Sequence, residues 1–186
     1  MTLDGVKDVA ESLLAEGATL RESPWRHLIL ATVGPDGAPA LRMLVLRAWD
    51  APARRATLHT DRRSTKMAAL RPGAAVALLG WDPGRRIQLR LAGRLDIAGA
   101  PETAAIWAGL APHSRATYAT ALPPGTPIGS LDAQPPRLTE AAAEAAFTVL
   151  TVTVETLDWL RLTHGGQERA RLTWADGRPH ATWVAP

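Results

Sequence analysis

The tightest constraint on this chain is a succession of short runs in which apolar and polar residues alternate, broken by turn-forming residues. In "RRIQLRLAGRLDI" (85–97) Ile87, Leu89 and Leu91 alternate with Gln88 and Arg90. A period of two puts successive side chains on opposite faces, so this run reads as a strand with one buried face. It follows "AAVALLGW" (74–81) after Asp82-Pro83-Gly84, which makes a hairpin. An earlier hairpin is spelled by "HLILATV" (27–33), "GPDG" (34–37) and "APALRMLVLRAWD" (38–50), followed by a further strand, "RRATLHT" (54–60). Three more close the chain: "FTVLTVTV" (147–154) running on into "LDWLRLT" (157–163), "RARLTW" (169–174) and "HATWVAP" (180–186). Six to seven antiparallel strands with helices kept to the edges predict a mainly β (α+β) small barrel.

The helical pattern is confined to four places. Leu3, Val6, Val9 and Leu13 recur at helical spacing, predicting an N-terminal helix ended by Gly17. Helices are expected at 101–110 and about 112–121, and "TEAAAEAA" (139–146) reads as a helix capped by Thr139. Between them, residues 123–136 hold five prolines and two glycines and read as a loop within one domain, not a boundary. The expected organisation is a single domain over 1–186, with the helix at 1–17 and a helical, Pro-rich insertion at 101–146.

Composition removes several chemistries. The absence of cysteine excludes disulfides, thiolate metal sites and cysteine nucleophiles. Five scattered histidines (27, 59, 113, 164, 180) show no metal-ligand spacing, so no metal site is expected. There is no Gly-x-Ser-x-Gly elbow, and "GTPIGS" lacks the Gly-Lys-Ser/Thr of a P-loop. No GxGxxG fingerprint or strand–helix–strand alternation supports a dinucleotide fold. The N-terminus carries acids instead of a basic-then-apolar leader, and no apolar run could span a bilayer. The expectation is a cytoplasmic protein that does not engage a membrane.

Charge is more informative. From Arg42 to Arg94 twelve basic residues face three acids (Asp50, Asp61, Asp82), while the rest of the chain is net acidic. Such asymmetry predicts an anionic partner, for which nucleic acid and a phosphorylated cofactor both qualify. No nucleic-acid recognition helix or aromatic RNA-binding motif is present, so nucleic acid is the weaker candidate. The basic stretch peaks in "TDRRSTKMAALRP" (60–72), where Thr60, Arg62, Arg63, Ser64, Thr65 and Lys66 precede a short apolar helix, Met67 to Leu70. Cations and hydroxyls at a helix start suit a bound phosphate. A solvated surface turn with Ser64 as N-cap fits the same residues.

Taken in order, "RMLVLR" (42–47), "LHTDRRSTK" (58–66), "W…RRIQLRLAG" (81–93) and "DWLRLTHGGQERARLTW" (158–174) resemble the pyridoxamine-5′-phosphate-oxidase-like FMN-binding split barrels. The resemblance covers roughly residues 27–97 and 147–186. It implies a split antiparallel β-barrel, FMN as cofactor, flavin-dependent redox chemistry on a small-molecule substrate, and a homodimer with the flavin site at the subunit interface. It assigns Arg42 to the phosphate and the backbone of Met43, Leu44 and Val45 to the isoalloxazine ring. His59 and Thr60 fall on the family's aromatic-Thr pair, and Ser64, Thr65 and Lys66 on its Ser-Arg-Lys. Gln88 matches a ring contact, Trp159 and Arg171 match a late Trp and Arg, and Arg47 takes the place of a substrate-contacting Lys.

Departures from the pattern fall mainly on the substrate side. Thr65 replaces an Arg at the phosphate, with Arg62 or Arg63 as possible replacements. The family's Arg-x-His reads Gln167-Glu168-Arg169, leaving Arg47 and Arg169 as candidate substrate cations. A pyridoxine-phosphate oxidase activity is therefore not expected. Arg42 and Arg47 have opposite strand parity, so one cofactor meets both only through a bulge, a strand end or a partner subunit. A deazaflavin-dependent reductase, a non-enzymatic flavin or haem module, and a basic nucleic-acid binder are the alternatives.

Overall fold

A computed structural model describes residues 1–130, 135–175 and 177–186. Among the described residues eight strands form: β1 (His27–Val33), β2 (Pro39–Asp50), β3 (Arg55–Asp61), β4 (Ala74–Asp82), β5 (Ile87–Ile97), β6 (Phe147–Thr163), β7 (Gly166–Ala175) and β8 (Arg178–Trp183). They run in the order β3-β2-β1-β4-β5-β6-β7-β8, and a second pairing of β3 with β6 closes the first six into a barrel. Every neighbouring pair is antiparallel. Each of the eight stretches read as strand forms one, with six in the closed barrel and β7 and β8 extending it. The two runs 147–154 and 157–163 are one strand, whose first half closes the barrel against β3 and whose second half carries β7.

Alternation in the sequence becomes two faces. Leu28, Leu30, Leu46, Leu58, Leu78, Leu89, Leu91, Val152 and Leu157 point inward and are essentially fully buried. Burying an aliphatic side chain of this size contributes about 1.5–3 kcal/mol, so this interior is the main stabilising element. β5 and β6 slip register at Ala92/Gly93, where Gly93 lies so close to β6 that a Cβ there would sit 2.0 Å from the Thr153 carbonyl oxygen. Only glycine permits that approach.

Among the described residues four α-helices surround the barrel: α1 (Leu3–Thr19), α2 (Ala100–Ala108), α3 (Pro112–Ala116) and α4 (Glu140–Ala146). α1 runs two residues past Gly17, which is no terminator. Its missing side chain lets Trp25 pack against the helix, since a Cβ would fall 2.5 Å from the Trp25 backbone. α3 is shorter than expected, and Thr139 does cap α4, accepting a hydrogen bond from the Ala142 N–H. α2, the end of α3 and α4 bury Trp107, Tyr118 and Ala143 against Phe147 and Val149, a second apolar cluster. Of the Pro-rich loop, residues 131–134 lie outside the described residues. Among the described residues no helix is long and apolar enough to cross a membrane.

Candidate anion-binding cleft

β2 and β3 pair only from Leu46↔Leu58 to Asp50↔Arg55. Beyond Leu58, β3 continues along β6, while β2 from Pro39 to Val45 stays with β1. The two strands diverge, and the gap between them is a cleft of about 410 Å³. Ala40, Leu41 and Arg42 form one wall, Ser64, Thr65 and Lys66 the other, and Pro124 and Gly125 close it. Split strands leave main-chain groups of β2 without ladder partners on that edge, and such groups seek a hydrogen bond elsewhere.

Arg42 follows the inward parity of Leu30, its partner across the ladder. Its Nη1 donates to the Thr32 hydroxyl at 2.6 Å and to the Leu30 carbonyl at 3.3 Å. Lys66 Nζ donates to Thr60 Oγ1 at 2.8 Å and to Ser64 Oγ at 2.6 Å. Each of these contacts goes to a neutral group, so neither cation is neutralised by its hydrogen-bond partners. Burial pushes the Lys66 ammonium below the usual lysine range, the Arg42 charge pushes it the same way, and Asp61 opposes both only in part. Burial likewise lowers Arg42. Two half-buried like charges facing one cleft are unfavourable alone and become favourable when an anion lies between them.

The segment carrying Ser64 differs from the expected helix. A 3-10 turn spans Thr65–Ala69, and Ser64, although at its N-cap position, makes no side-chain cap bond. Its hydroxyl donates to the Asp61 carbonyl and accepts from Lys66. Side-chain charge, not a helix terminus, makes this cleft attractive to an anion. Nor does Arg63 supply the charge missing at Thr65: Asp61 holds it at 2.7 Å. Arg62 is exposed and does not line the cleft.

The other sequence-derived candidates fall elsewhere. β2 does bulge, between Leu46 and Ala48, at Arg47. The bulge does not bring Arg47 to the cleft, whose walls it does not line. Burial lowers the Arg47 pKa, the Arg26 charge acts in the same direction, and its buried Nε has no hydrogen-bond partner among the described residues. His59 stacks edge-on against Phe147 at 5.0 Å, and burial, aided by the Arg47 charge, pushes its pKa down to about 4. Met43 is well exposed on the outer face, and Leu44 and Val45 are half-buried. Gln88 lies on the outer face of β5, opposite Trp81 and Leu160, and does not line the cleft.

Trp159 is 0% exposed in the barrel interior and does not line the cleft. Its inward parity matches that of Leu157, and its indole Nε1 has no hydrogen-bond partner among the described residues. Arg169 and Arg171 are also tied to structure. Asp158 receives Arg169 at 2.8 Å, Arg90 at 3.0 Å and Arg171 at 3.4 Å on one carboxylate oxygen. Burial pulls the Asp158 pKa up, but hydrogen bonds from Arg169 and the charge of Arg90 outweigh it and hold the carboxyl below its ordinary range.

Sequence reading missed Thr32, Asp61 and the Pro124–Gly125 wall. Thr32 carried a signal: it is a hydroxyl at inward parity, at the end of an otherwise apolar strand, opposite a strand containing Arg42. Asp61 meets Arg63 only two residues on, whereas the Pro124–Gly125 wall depends on contacts between segments about 60 residues apart, which spacing alone does not carry.

Residues 9–99 match the family described as pyridoxamine 5′-phosphate oxidase, FMN-binding domain. No curated protein matches the chain. Among solved structures, it resembles a pyridoxamine 5′-phosphate oxidase-related, FMN-binding protein from Nostoc punctiforme, with 25% identity, 96% of each chain covered and a TM-score of 0.79. PhzG from Burkholderia lata, solved with tetrahydrophenazine-1-carboxylic acid, shares the fold at 17% identity over 96% of this chain and 91% of its own, TM-score 0.74. A Clostridium acetobutylicum protein related to general stress protein 26 shares it at 18% identity over 94% and 96%, TM-score 0.52. The family model matches the chain from within α1 through β5, and the whole chain is similar almost end to end to a pyridoxamine 5′-phosphate oxidase-related, FMN-binding protein.

Proposed function

We propose that the protein binds FMN and acts as a flavin-dependent oxidoreductase on a small molecule other than pyridoxine or pyridoxamine 5′-phosphate. The observation that carries this reading is the pair Arg42 and Lys66, two cations lining one cleft with only neutral groups as hydrogen-bond partners. A phosphate monoester is nearly dianionic, and each charge-assisted hydrogen bond to it contributes about 1.5–3 kcal/mol. When bound, the flavin would supply hydride chemistry. Arg42 and Lys66 would hold its phosphate, with Ser64 steadying the Lys66 ammonium and the Thr65 hydroxyl completing the cradle. The open edge of β2 at Met43, Leu44 and Val45 would offer main-chain groups to the ring.

The protein would work as a homodimer. Val33, Leu41 and Met43 are each more than 60% exposed on the outer face of β1 and β2, and Trp81 is 42% exposed on the same face of β4. Apolar surface of this extent favours a partner, and the same face carries Gln88. A second copy there would bring its Gln88 and Arg47 toward the cleft, as the family's shared flavin sites imply. Loss of the family's Arg-x-His, with Arg169 engaged by Asp158, supports a substrate other than a phosphorylated vitamer.

The test is the absorption spectrum and light-scattering mass of the untagged protein after incubation with FMN. The reading expects flavin bands that survive desalting, on a particle of twice 19.8 kDa. A haem Soret band, a deazaflavin spectrum or a colourless monomer would each overturn it.

A further inference from the structure

Arg63 stands in the most basic stretch of the sequence, yet it does not line the cleft. Its guanidinium faces two ways. Toward its own strand, Nε and Nη2 meet the two oxygens of Asp61 at 3.1 and 2.7 Å, and its backbone N–H donates to the same carboxylate at 2.8 Å. Away from it, Nη1 donates to the carbonyls of Thr120 at 2.9 Å and Ala121 at 3.3 Å. Thr120 and Ala121 lead directly into the segment whose Pro124 and Gly125 close the cleft, while Ser64, Thr65 and Lys66, next in sequence to Arg63, form the facing wall. One planar fork thus ties the two walls together. A lysine has too few fixed donors to serve both sides.

The pairing also has an electrostatic consequence. Asp61 is 8% exposed and close enough to Lys66 for its charge to be felt there. Without a counter-charge, that carboxylate would repel an anion in the cleft.

We propose that Arg63 is a positioning residue for the anion cleft, holding the Pro124–Gly125 wall against β3 and neutralising Asp61 without touching the ligand. The proposal rests on the reading of the cleft as a phosphate site.

The experiment compares Arg63→Ala, Arg63→Lys, Asp61→Asn with Arg63→Ala, and the control Arg62→Ala. FMN and riboflavin affinities are read by flavin fluorescence, and hydrogen exchange is followed at the amides of 118–122 and 125–126. Arg63→Ala should weaken FMN about tenfold or more, change riboflavin less than about threefold and speed exchange in that segment. Arg63→Lys should fall between it and the parent, which keeps the test open if the alanine variant folds poorly. The double variant should regain FMN affinity through lost repulsion while exchange stays fast, separating charge from wall. Arg62→Ala should match the parent. Equal weakening of both flavins, or unchanged FMN binding with unchanged exchange, would overturn the proposal. If the parent binds neither flavin, the phosphate reading fails on its own. Exchange then decides the tie: unchanged protection in Arg63→Ala refutes it, and lost protection upholds the wall.

Discussion

Replacing Lys66 by alanine should separate ligand recognition from stability. Two of the three Nζ protons are spent on Thr60 and Ser64, which leaves one aimed at the cleft. Losing a single charge-assisted bond of ~1.5–3 kcal/mol should weaken FMN roughly ten- to a hundredfold. Riboflavin, which lacks the phosphate, should change by less than about threefold. Folding should respond differently. The variant loses two hydrogen bonds to hydroxyls but also relieves a half-buried ammonium that burial and Arg42 both disfavour. These effects oppose, so the unfolding free energy should move by no more than about 1 kcal/mol. Calorimetric titration with both flavins at two salt concentrations, beside a urea melt, reads all three quantities. The FMN affinity of the variant should also depend less on salt. Equal weakening of FMN and riboflavin in a folded variant would refute the assignment of Lys66 to a phosphate.

Two further outcomes follow from buried charge. His59 titrates near pH 4 when folded against about 6.5 when unfolded, so the unfolded chain takes up the proton first and stability falls as pH drops from about 6.5 to 4. Allowing for partial exposure, the loss is about 2 kcal/mol, and His59→Phe should flatten that part of a urea-midpoint profile; parallel profiles would contradict it. Asp158→Asn strands Arg90, Arg169 and Arg171 beside one another and should cost about 1–3 kcal/mol in chemical denaturation, discounted because two of the three guanidiniums are half exposed. A loss below about 0.5 kcal/mol would mean that solvent already screens the cluster.

Strands were legible because their buried face repeats every second residue: Ile87, Leu89 and Leu91 announce both β5 and its inward side. β8 carries little such signal, since most of its residues are exposed, and it was recognisable mainly as a tail after a turn. Gly17 misled because a glycine near a helix end can serve as a terminator or as room for a neighbour, and only the position of Trp25 decides. Arg42, Thr60, Ser64, Thr65 and Lys66 were nameable as a group because four of them fall within seven residues, and the fifth was fixed by an ordered set of motifs. Arg62 and Arg63 could not be told apart from charge alone; their difference lies in a contact with Thr120 and Ala121. The inward side of Trp159 was legible from its parity with Leu157, whereas the engagement of Arg169 by Asp158 required the β6–β7 register.

The most direct measurement is a side-by-side titration of the unmodified protein with FMN and riboflavin under identical salt. With Arg42 and Lys66 each giving the phosphate a charge-assisted bond, FMN should bind roughly a hundredfold tighter or more. Equal affinity for the two flavins, or binding of neither, would contradict the account.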